Sequence, residues 1–372
     1  MTSPSKKKTG TSLRTLARLA GVSVSTASRA LHNHPVISAA VRKRIKALAR
    51  RRGYAINPLV AQVYSEARSG RGFRHLGTLA YITAYDTADW WRAHPTLRGF
   101  HAGVVDRAQQ AGLAINEFWA HEPGLKGRRL TQILRARGIG GVIVAPVPGR
   151  NATDLLDWKY FSPALLGESV RAPRLNRAVP NQRHAVQLAL RELTQLGYRR
   201  IGLVLRRRYH AMTDFNMLST FLLLQHSLPA AQRIPVETPE DWTEANFMPW
   251  FRRHRPDAIV GVVRPVREWL ARAGIKSPRD VGLVLLDWDE ESKDDFAAVD
   301  QNAAAVGAAA VDIVLGQMRQ NERGIPVIPQ TVLVDSVWRP GASVRSVGTP
   351  WLPAFMVEEP DFAPLTAEPP VE

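Results

Sequence analysis

Positive charge is concentrated at the start of this 372-residue chain. The first 71 residues contain fifteen Lys and Arg residues and one acidic residue, Glu66, so they carry a formal charge of +14 out of the chain's +17. The rest of the chain is nearly neutral. Such a division predicts a basic module that binds a polyanion, followed by a globular body with another task. Nucleic acid is the first candidate polyanion, with a membrane surface or ribosomal RNA as alternatives.

Length and composition narrow the class of protein. Because domains usually contain about 100–200 residues, this chain is long enough for two or three of them. Cysteine is absent, which excludes disulfides and thiolate zinc sites and fits a reducing compartment. The start of the chain lacks the apolar region of a signal peptide, and no stretch approaches the roughly 20 apolar residues of a membrane span. We expect a soluble cytoplasmic protein without a membrane partner, in which residues 1–11 form a disordered basic tag.

The basic segment has the pattern of a helix-turn-helix. Ser12 can cap a first helix, whose apolar residues recur at helical spacing. Gly21, Val22 and Ser23 then predict a tight turn. The glycine permits left-handed backbone, the valine fills the gap between two helices, and the serine caps a second helix over about 24–31.

A third, amphipathic helix is predicted to begin near Ser38. The three helices predict an all-α headpiece over 12–57, whose second helix enters the major groove of DNA. For the Lys and Arg residues of the third helix, a solvated face is an alternative to DNA contact.

The expected DNA contacts fall into two groups. An arginine can form a bidentate contact with guanine, and a valine can contact a thymine methyl group. The residues expected to contact base edges are Val24, Ser25 and Arg29. Those expected to contact the DNA backbone are Arg14, Ser23, Thr26, Ser28 and Arg50, with helix packing as an alternative for Thr26 and Ser28.

The order of these motifs closely resembles the headpiece of the LacI/GalR (lactose-repressor/galactose-repressor) family of bacterial transcription regulators. The segments that carry the resemblance are 16–31, 36–38, 41–45 and 53–58. It implies a homodimer that binds a pseudo-palindromic DNA operator, with one recognition helix in each half-site.

The resemblance also implies a hinge helix and linker over 58–74. In the family this helix folds on the operator and inserts an apolar side chain, usually leucine, into the minor groove. Tyr64 stands at the position of that leucine, and Leu59 and Val63 are alternatives. An aromatic wedge could also unstack a base step. A purely structural role for Tyr64 at a dimer contact is the competing interpretation.

From residue 75 onward, apolar strand-like runs alternate with amphipathic helical stretches. This alternation is typical of parallel sheets with helices on both faces, and two such series predict two α/β lobes with a cleft between them. The resemblance continues through most of this body and implies a periplasmic-binding-protein-like fold in which the chain crosses between the lobes three times. The expected lobes are 75–178 plus 302–326 and 179–301 plus 327–347.

Aromatic and polar residues follow several of the predicted strands, where ligands of open α/β sheets bind. Aromatic rings and carboxylates suit a small polar ligand such as a sugar or a sugar derivative. The candidate effector-binding residues are Tyr85, Asp86, Trp90, Trp91, Asn216, Asp287 and Gln301. For Asp287 the resemblance itself implies a ligand contact. For the two tryptophans, packing within or between lobes is an alternative.

Two positions depart from the family pattern. Where family members usually carry an arginine that binds the ligand, this chain has Met217, and Asn216 is a possible substitute. Pro180 stands where an aspartate is common at a lobe crossing. These departures leave open a vestigial pocket in a regulator that binds DNA without an effector.

Residues 348–372 are rich in Pro, Glu and Asp without periodicity, which predicts a disordered acidic tail. No nucleophile, phosphate-binding loop or metal-ligand spacing is recognisable, so we expect neither an enzyme nor a bound metal or cofactor. The expected function is transcription regulation, with repression as the favoured mode and a small-molecule effector as a partner. A nucleoid-type DNA-binding protein is the competing class.

Overall fold

The structure is a computed structural model, which describes residues 12–31, 34, 36–52, 54, 77–125, 127–149, 151–261 and 264–351. The three hinge candidates, Leu59, Val63 and Tyr64, lie outside the described residues, as do residues 1–11 and 352–372. The chain divides into two compact units. The first is formed by Met1–Pro180 and Ala303–Val334, and the second by Asn181–Asn302 and Asp335–Glu372.

The headpiece contains three helices, α1 (Leu13–Ala20), α2 (Val24–Leu31) and α3 (Ala39–Arg51), as the sequence predicts. Ser12 caps α1, because its Oγ accepts a hydrogen bond from the backbone N–H of Thr15 at 3.1 Å. Gly21 ends α1 with φ of +63°, a conformation that glycine adopts without strain. The predicted turn is therefore confirmed.

The core of the headpiece is small and built from short side chains. Leu16, Ala27 and Ile45 are fully buried, one from each helix. Val22 packs against this core from the turn, as predicted. Ala17 of α1 and Ala27 and Ala30 of α2 are also buried in this core.

The first unit beyond the headpiece is an α/β layer structure. In chain order its elements are β1 (Gly77–Thr83), α4 (Pro95–Gln110), β2 (Leu113–Trp119), α5 (Gly127–Ala136), β3 (Gly141–Val144), β4 (Ser162–Leu166) and β5 (Arg177–Pro180). The second unit continues with α6 (Gln182–Gln195), β6 (Ile201–Val204), α7 (Arg207–Met212), α8 (Asn216–Ser227), α9 (Glu244–His254), β7 (Ala258–Gly261), α10 (Val266–Arg272), β8 (Gly282–Leu285) and β9 (Ala297–Asp300).

The chain then returns to the first unit with α11 (Ala303–Gln320) and β10 (Thr331–Val334), and ends in the second with β11 (Val337–Arg339). Short 3-10 helices lie at Trp90–Ala93, Thr153–Leu155, Trp158–Tyr160, Ala230–Gln232 and Glu290–Ser292. None of the described helices is long and apolar enough to cross a membrane.

The first unit contains a parallel sheet with the strand order β10-β5-β4-β3-β1-β2. Every residue of β3 and β4 is buried, as expected for central strands with helices on both faces. The second unit has the order β11-β9-β8-β7-β6, in which β11 alone pairs antiparallel. The parallel α/β fold class predicted for the body is therefore confirmed.

Helices α4 and α11 contact each other through glycines. A methyl group at Gly103 would lie 1.8 Å from the carbonyl oxygen of Ala304, and one at Gly307 would lie 2.1 Å from that of Phe100. These contacts involve backbone atoms, which cannot rotate away as a flexible side chain would. The absence of side chains at these two positions therefore sets the separation of the helices.

Replacing Gly307 by alanine should lower the free energy of unfolding by about 1–3 kcal/mol, because the helix pair must separate to admit the methyl group. Gly316 lies in the same helix and has no atom within 4 Å of the added carbon. Gly316→Ala is therefore the matched control and should stabilise by up to about 1 kcal/mol. Urea unfolding of the two variants measures the difference, and equal effects would contradict the packing argument.

Two parts of the structure differ from the expected domain limits. Residues 327–347 were expected in the second lobe, but β10 pairs in parallel with all four residues of β5 and so joins the first sheet. The acidic tail was expected to be disordered from 348 onward. Instead, Trp351 donates from its backbone N–H to the carbonyl oxygen of Thr194 at 3.2 Å and from its indole to that of Tyr198 at 2.7 Å. The described end of the chain is thus fixed to the second unit.

Candidate nucleic-acid interface and effector-binding residues

The N-terminus of α2 carries a cluster of hydroxyl groups. Ser23 caps the helix, since its Oγ accepts from the backbone N–H of Thr26 at 3.1 Å. The same oxygen lies 2.8 Å from the hydroxyl of Thr26 and 3.2 Å from that of Ser25. Hydroxyl groups together with free N–H groups at a helix N-terminus provide hydrogen-bond donors suited to phosphate oxygens.

The outer face of α2 presents two of the three predicted base-contacting residues. Ser25 and Arg29 are exposed and lie one helical turn apart, whereas Ala27 and Ala30 face the core. Within the described residues Arg29 makes no ion pair. Val24 is half-buried and packs against the headpiece core, so less of its side chain is available to a base.

One flank of α3 carries a row of cations, which we call the cationic stripe. Its members are Arg42, Lys43, Lys46 and Arg50. Three of them are spaced four residues apart, so they lie on one side of the helix. Together with Ala47 they line a groove on the surface. The sequence from 12 to 57 contains no acidic residue.

The remaining predicted backbone contacts are distributed around the headpiece. Arg14 on α1 is exposed, and Ser28 is half-buried on α2. Arg44, on the opposite flank of α3 from the stripe, has a structural role, because its guanidinium donates to the carbonyl oxygen of Ala20 at 3.1 Å. This bond joins α3 to the end of α1.

In the first unit, the aromatic candidates pack mainly against one another. Tyr85 is buried and stacks on Trp90 with ring centroids 4.6 Å apart, and Trp90 also stacks on His94 at 3.7 Å. Trp91 is buried in the core of this unit, and the guanidinium of Arg92 lies 4.4 Å from its ring centroid. The arrangement favours packing over ligand stacking for Trp91, while Trp90 remains half-buried.

A charged cluster that the sequence did not predict lies beside these rings. The Nε2 atom of His101 is 3.0 Å from a carboxylate oxygen of Glu117, and the guanidinium of Arg92 is 2.8 Å from the other. Burial lowers the pKa of His101, although Glu117 acts in the opposite direction. Asp86, the remaining candidate of this unit, is exposed.

In the second unit, Asp287 lies two residues after the end of β8 and is half-buried. Burial raises the pKa of Tyr209, and the negative charge of Asp287 is the second cause of this shift. Asp289 is buried and forms an ion pair with Arg264. Burial alone would raise the pKa of Asp289, but hydrogen bonds from Arg264 and Ser292 lower it. Asp287 and Tyr209 therefore supply polar groups near the carboxyl end of this sheet.

Two other candidates are engaged within the protein. Gln301 is buried, accepts from the amide of Gln182 at 3.1 Å and donates to the carbonyl oxygen of Leu286. Its side chain thus links the end of β9 to α6 and to the residue that follows β8, which is a structural role. Asn216 is the first residue of α8 and is half-buried. Next to it Met217 is buried in the apolar core, so the position has the environment of a core residue.

The segment after β6 holds three consecutive arginines. Arg206 pairs with Asp241 at 2.9 Å and Arg207 with Glu240 at 3.2 Å, whereas Arg208 is exposed and makes no ion pair within the described part of the chain. His210 in α7 is buried, and neither ring nitrogen has a hydrogen-bond partner among the described residues. The sequence did not predict that His210 is buried, because it is a single histidine in a basic segment.

The burial of His210 predicts sensitivity to acid. Burial lowers the pKa of this imidazole below the ordinary value of 6.5, so the unfolded chain binds a proton more readily than the folded chain. The stability that the neutral His210 contributes to the folded protein is therefore fully present above about pH 6.5. It is lost as the pH falls through the pKa that His210 has in the folded protein. The decrease in melting temperature from about pH 7 to about pH 5 should therefore be smaller for the His210→Leu variant than for the unmodified protein.

His101 and His254 have pKa values lowered by burial as well, so part of the acid sensitivity should persist in that variant. An identical loss in both proteins would contradict the role assigned to His210.

The described residues contain no group of three His, Cys, Asp or Glu side chains able to hold a metal ion.

Comparisons with known proteins agree with this architecture. Residues 12–57 match the model of bacterial regulatory proteins of the lacI family, and residues 190–344 match that of the periplasmic binding protein-like domain. The two matches together cover more than half of the chain. No curated protein sequence matches.

Several solved structures share the fold. A transcriptional regulator, CelR, in complex with cellobiose is 18% identical with a TM-score of 0.52, over 89% of this chain and 99% of that chain. The lac repressor dimer bound to operator and the anti-inducer ONPF is 16% identical with a TM-score of 0.51, over 90% and 98%. A LacI family regulator from Enterococcus faecium with bound ribose is 14% identical with a TM-score of 0.52, over 73% and 100%.

A helix-turn-helix headpiece followed by periplasmic-binding-protein-like α/β units defines a DNA-binding transcription regulator. The chain belongs to the LacI family of bacterial regulatory proteins. Proteins of this family are regulators and not enzymes, in agreement with the prediction from the sequence.

Proposed function

We propose that this regulator represses transcription by binding a pseudo-palindromic operator as a homodimer. The observation that carries the proposal is the exposure of Ser25 and Arg29 on one face of α2, in a headpiece that contains no acidic residue. Two copies of this face bind two half-sites, since a two-fold symmetric dimer matches a palindromic sequence. The backbone contacts come from Arg14, Ser23, Thr26, Ser28 and Arg50.

The second part of the proposal is a small polar effector, such as a sugar, that contacts Asp287. This residue follows a parallel strand, where ligands of α/β sheets bind, and its carboxylate can accept hydrogen bonds from hydroxyl groups. Related structures contain cellobiose or ribose, which supports the carbohydrate class. The effector can bind the DNA-bound and the free arrangement of the protein with different affinities. The size of this difference sets how much the effector changes the affinity for the operator.

A ligand screen tests the effector. At a concentration of about 100 times Kd, a ligand should stabilise the protein by roughly 2.7 kcal/mol, which thermal unfolding detects. Asp287→Ala should abolish the stabilisation by any sugar that shifts the unmodified protein. Asp295→Ala is the control, because Asp295 is an exposed residue of the same unit that pairs with Arg267.

The burial of Met217 supports a second candidate, a regulator that binds DNA without an effector. A buried methionine has replaced the cation that usually binds the ligand at this position of the family pattern. This alternative predicts that no sugar in the screen changes the melting temperature, while sequence-specific DNA binding persists.

A further inference from the structure

Helix α8 of the second unit has apolar residues on its outer face. The helix, Asn216–Ser227, contains no Lys, Arg, Asp or Glu. Leu222 and Leu223 are 47% and 49% exposed, whereas Phe221 and Leu224 are fully buried in the core of this unit. A surface helix normally carries charged and polar residues on its outer side, and a helix with apolar residues on opposite sides is usually covered on both. The composition of α8 therefore indicates that a further segment covers it.

The exposed apolar residues of α8 form a continuous surface. Phe215, immediately before the helix, is 51% exposed, and Leu218 is half-buried. With Leu222 and Leu223 they extend over roughly two turns, about 11 Å, and we call these four residues the outer apolar face. The neighbouring helix α6, which packs beside α8, exposes charged residues such as Arg191 instead. The outer apolar face is thus a property of α8 and not of this side of the sheet in general.

The described chain ends near the last turn of α8. The backbone and indole N–H groups of Trp351 donate to the carbonyl oxygens of Thr194 and Tyr198, the second at 2.7 Å. In the last turn of α8, the amide of Gln225 donates to the carbonyl oxygen of Ile201 at 3.3 Å. Tyr198 and Ile201 are three residues apart, a separation of at most about 10 Å. The chain beyond Trp351 therefore starts at the same end of the second unit as the last turn of α8.

The segment that follows has the chemistry and the length needed to cover α8. Residues 352–357 read Leu-Pro-Ala-Phe-Met-Val, without a charged or hydrogen-bonding side chain, and the acidic residues begin only at Glu358. Six residues can extend up to about 20 Å, which is enough to pass from Trp351 along the outer apolar face. Because the segment is tethered beside this surface, its effective concentration there is high.

We propose that residues 352–357 dock on the outer apolar face of α8 within the same chain. Phe355, the largest side chain of the segment, packs against Leu222 and Leu223. The contact stabilises the second unit, because it removes apolar surface of both partners from water. The disorder predicted for the acidic tail then begins after residue 357. The competing occupant of the same face is a second copy of the chain.

Disulfide cross-linking tests the contact directly, since the chain contains no cysteine of its own. Under mild oxidation, full-length protein with Phe355→Cys and Leu222→Cys should form an intrachain disulfide at least about 10-fold faster than protein with Phe355→Cys and Arg191→Cys. Arg191 is exposed and lies three residues before Thr194, so nearness to Trp351 alone would favour this control. Equal rates would overturn the proposal. Disulfide-linked pairs of chains formed by Leu222→Cys alone would also overturn it, because a second copy would then cover the face.

Thermal unfolding measures the stabilisation. Ending the chain after Trp351 should lower the melting temperature by about 2–8 °C, whereas ending it after Val357 should leave it unchanged. Leu222→Gln combined with Leu223→Gln should cause a similar decrease, and truncation after Trp351 should then have no further effect. If water covers these leucines, the double substitution should change the melting temperature very little. That result, or decreases that add in the combined variant, would contradict docking on α8.

Discussion

Arg29→Ala is expected to reduce the affinity of the dimer for the preferred DNA site by about 30-fold or more, because a bidentate contact between arginine and guanine contributes roughly 1–3 kcal/mol and each half-site loses one. Arg29 is exposed on the outer face of α2, whose inner face is held against the core by Ala27 and Ala30. The variant should therefore fold normally. Its defect should be confined to one base pair in each half-site, where the preference among the four bases is lost.

Arg50→Ala is the comparison, since it removes the same charge from the same headpiece but from the cationic stripe. It should weaken binding to all sequences by a similar factor and leave the base preferences unchanged. Binding to a library in which each position of the site is varied distinguishes the two results. If both variants behave alike on every sequence, the assignment of α2 as the recognition helix is wrong.

The second large effect is the dependence of DNA affinity on salt. If the dimer neutralises six to ten phosphates, affinity should fall by about 10³- to 10⁵-fold between about 50 and 200 mM salt, because each contact releases condensed cations. Arg50→Ala removes one cation from each subunit and should therefore reduce the slope of log affinity against log salt by about two for the dimer.

Lys276→Ala provides the control for this slope. Lys276 is exposed in the second unit, so its removal lowers the net charge equally without changing the headpiece. Titrations at several salt concentrations should show an unchanged slope for this variant. A slope that falls with Lys276→Ala as much as with Arg50→Ala would place the phosphate contacts outside the headpiece.

Local signals made the headpiece predictable from the sequence. Ser12, Gly21 and Ser23 each have a single physical role at a helix end, and the structure shows them in those roles. The alternation of strands and helices in the body was equally visible. Helix α9 was not predicted, because Pro249 lies inside it, although Thr243 and Asn246 form a capping box at its start.

Long-range pairing could not be predicted in the same way. The sequence of β10 does not show which sheet it joins, because three of its four residues are exposed and carry no core pattern. Gln301 and Trp91 had the residue types of a ligand site, but burial gives both of them structural contacts. Such outcomes depend on which side chains the fold brings together and not on spacing along the chain.

Selection of bound fragments from genomic DNA by the purified full-length protein, at a low and a high salt concentration, tests whether the protein is a sequence-specific regulator. We expect a pseudo-palindromic site that is retained at the higher salt, with an affinity at least about 10³-fold above that for random DNA. Genes beside that site would indicate which ligands to test. Uniform binding that disappears at the higher salt would contradict sequence-specific regulation and indicate a structural DNA-coating protein.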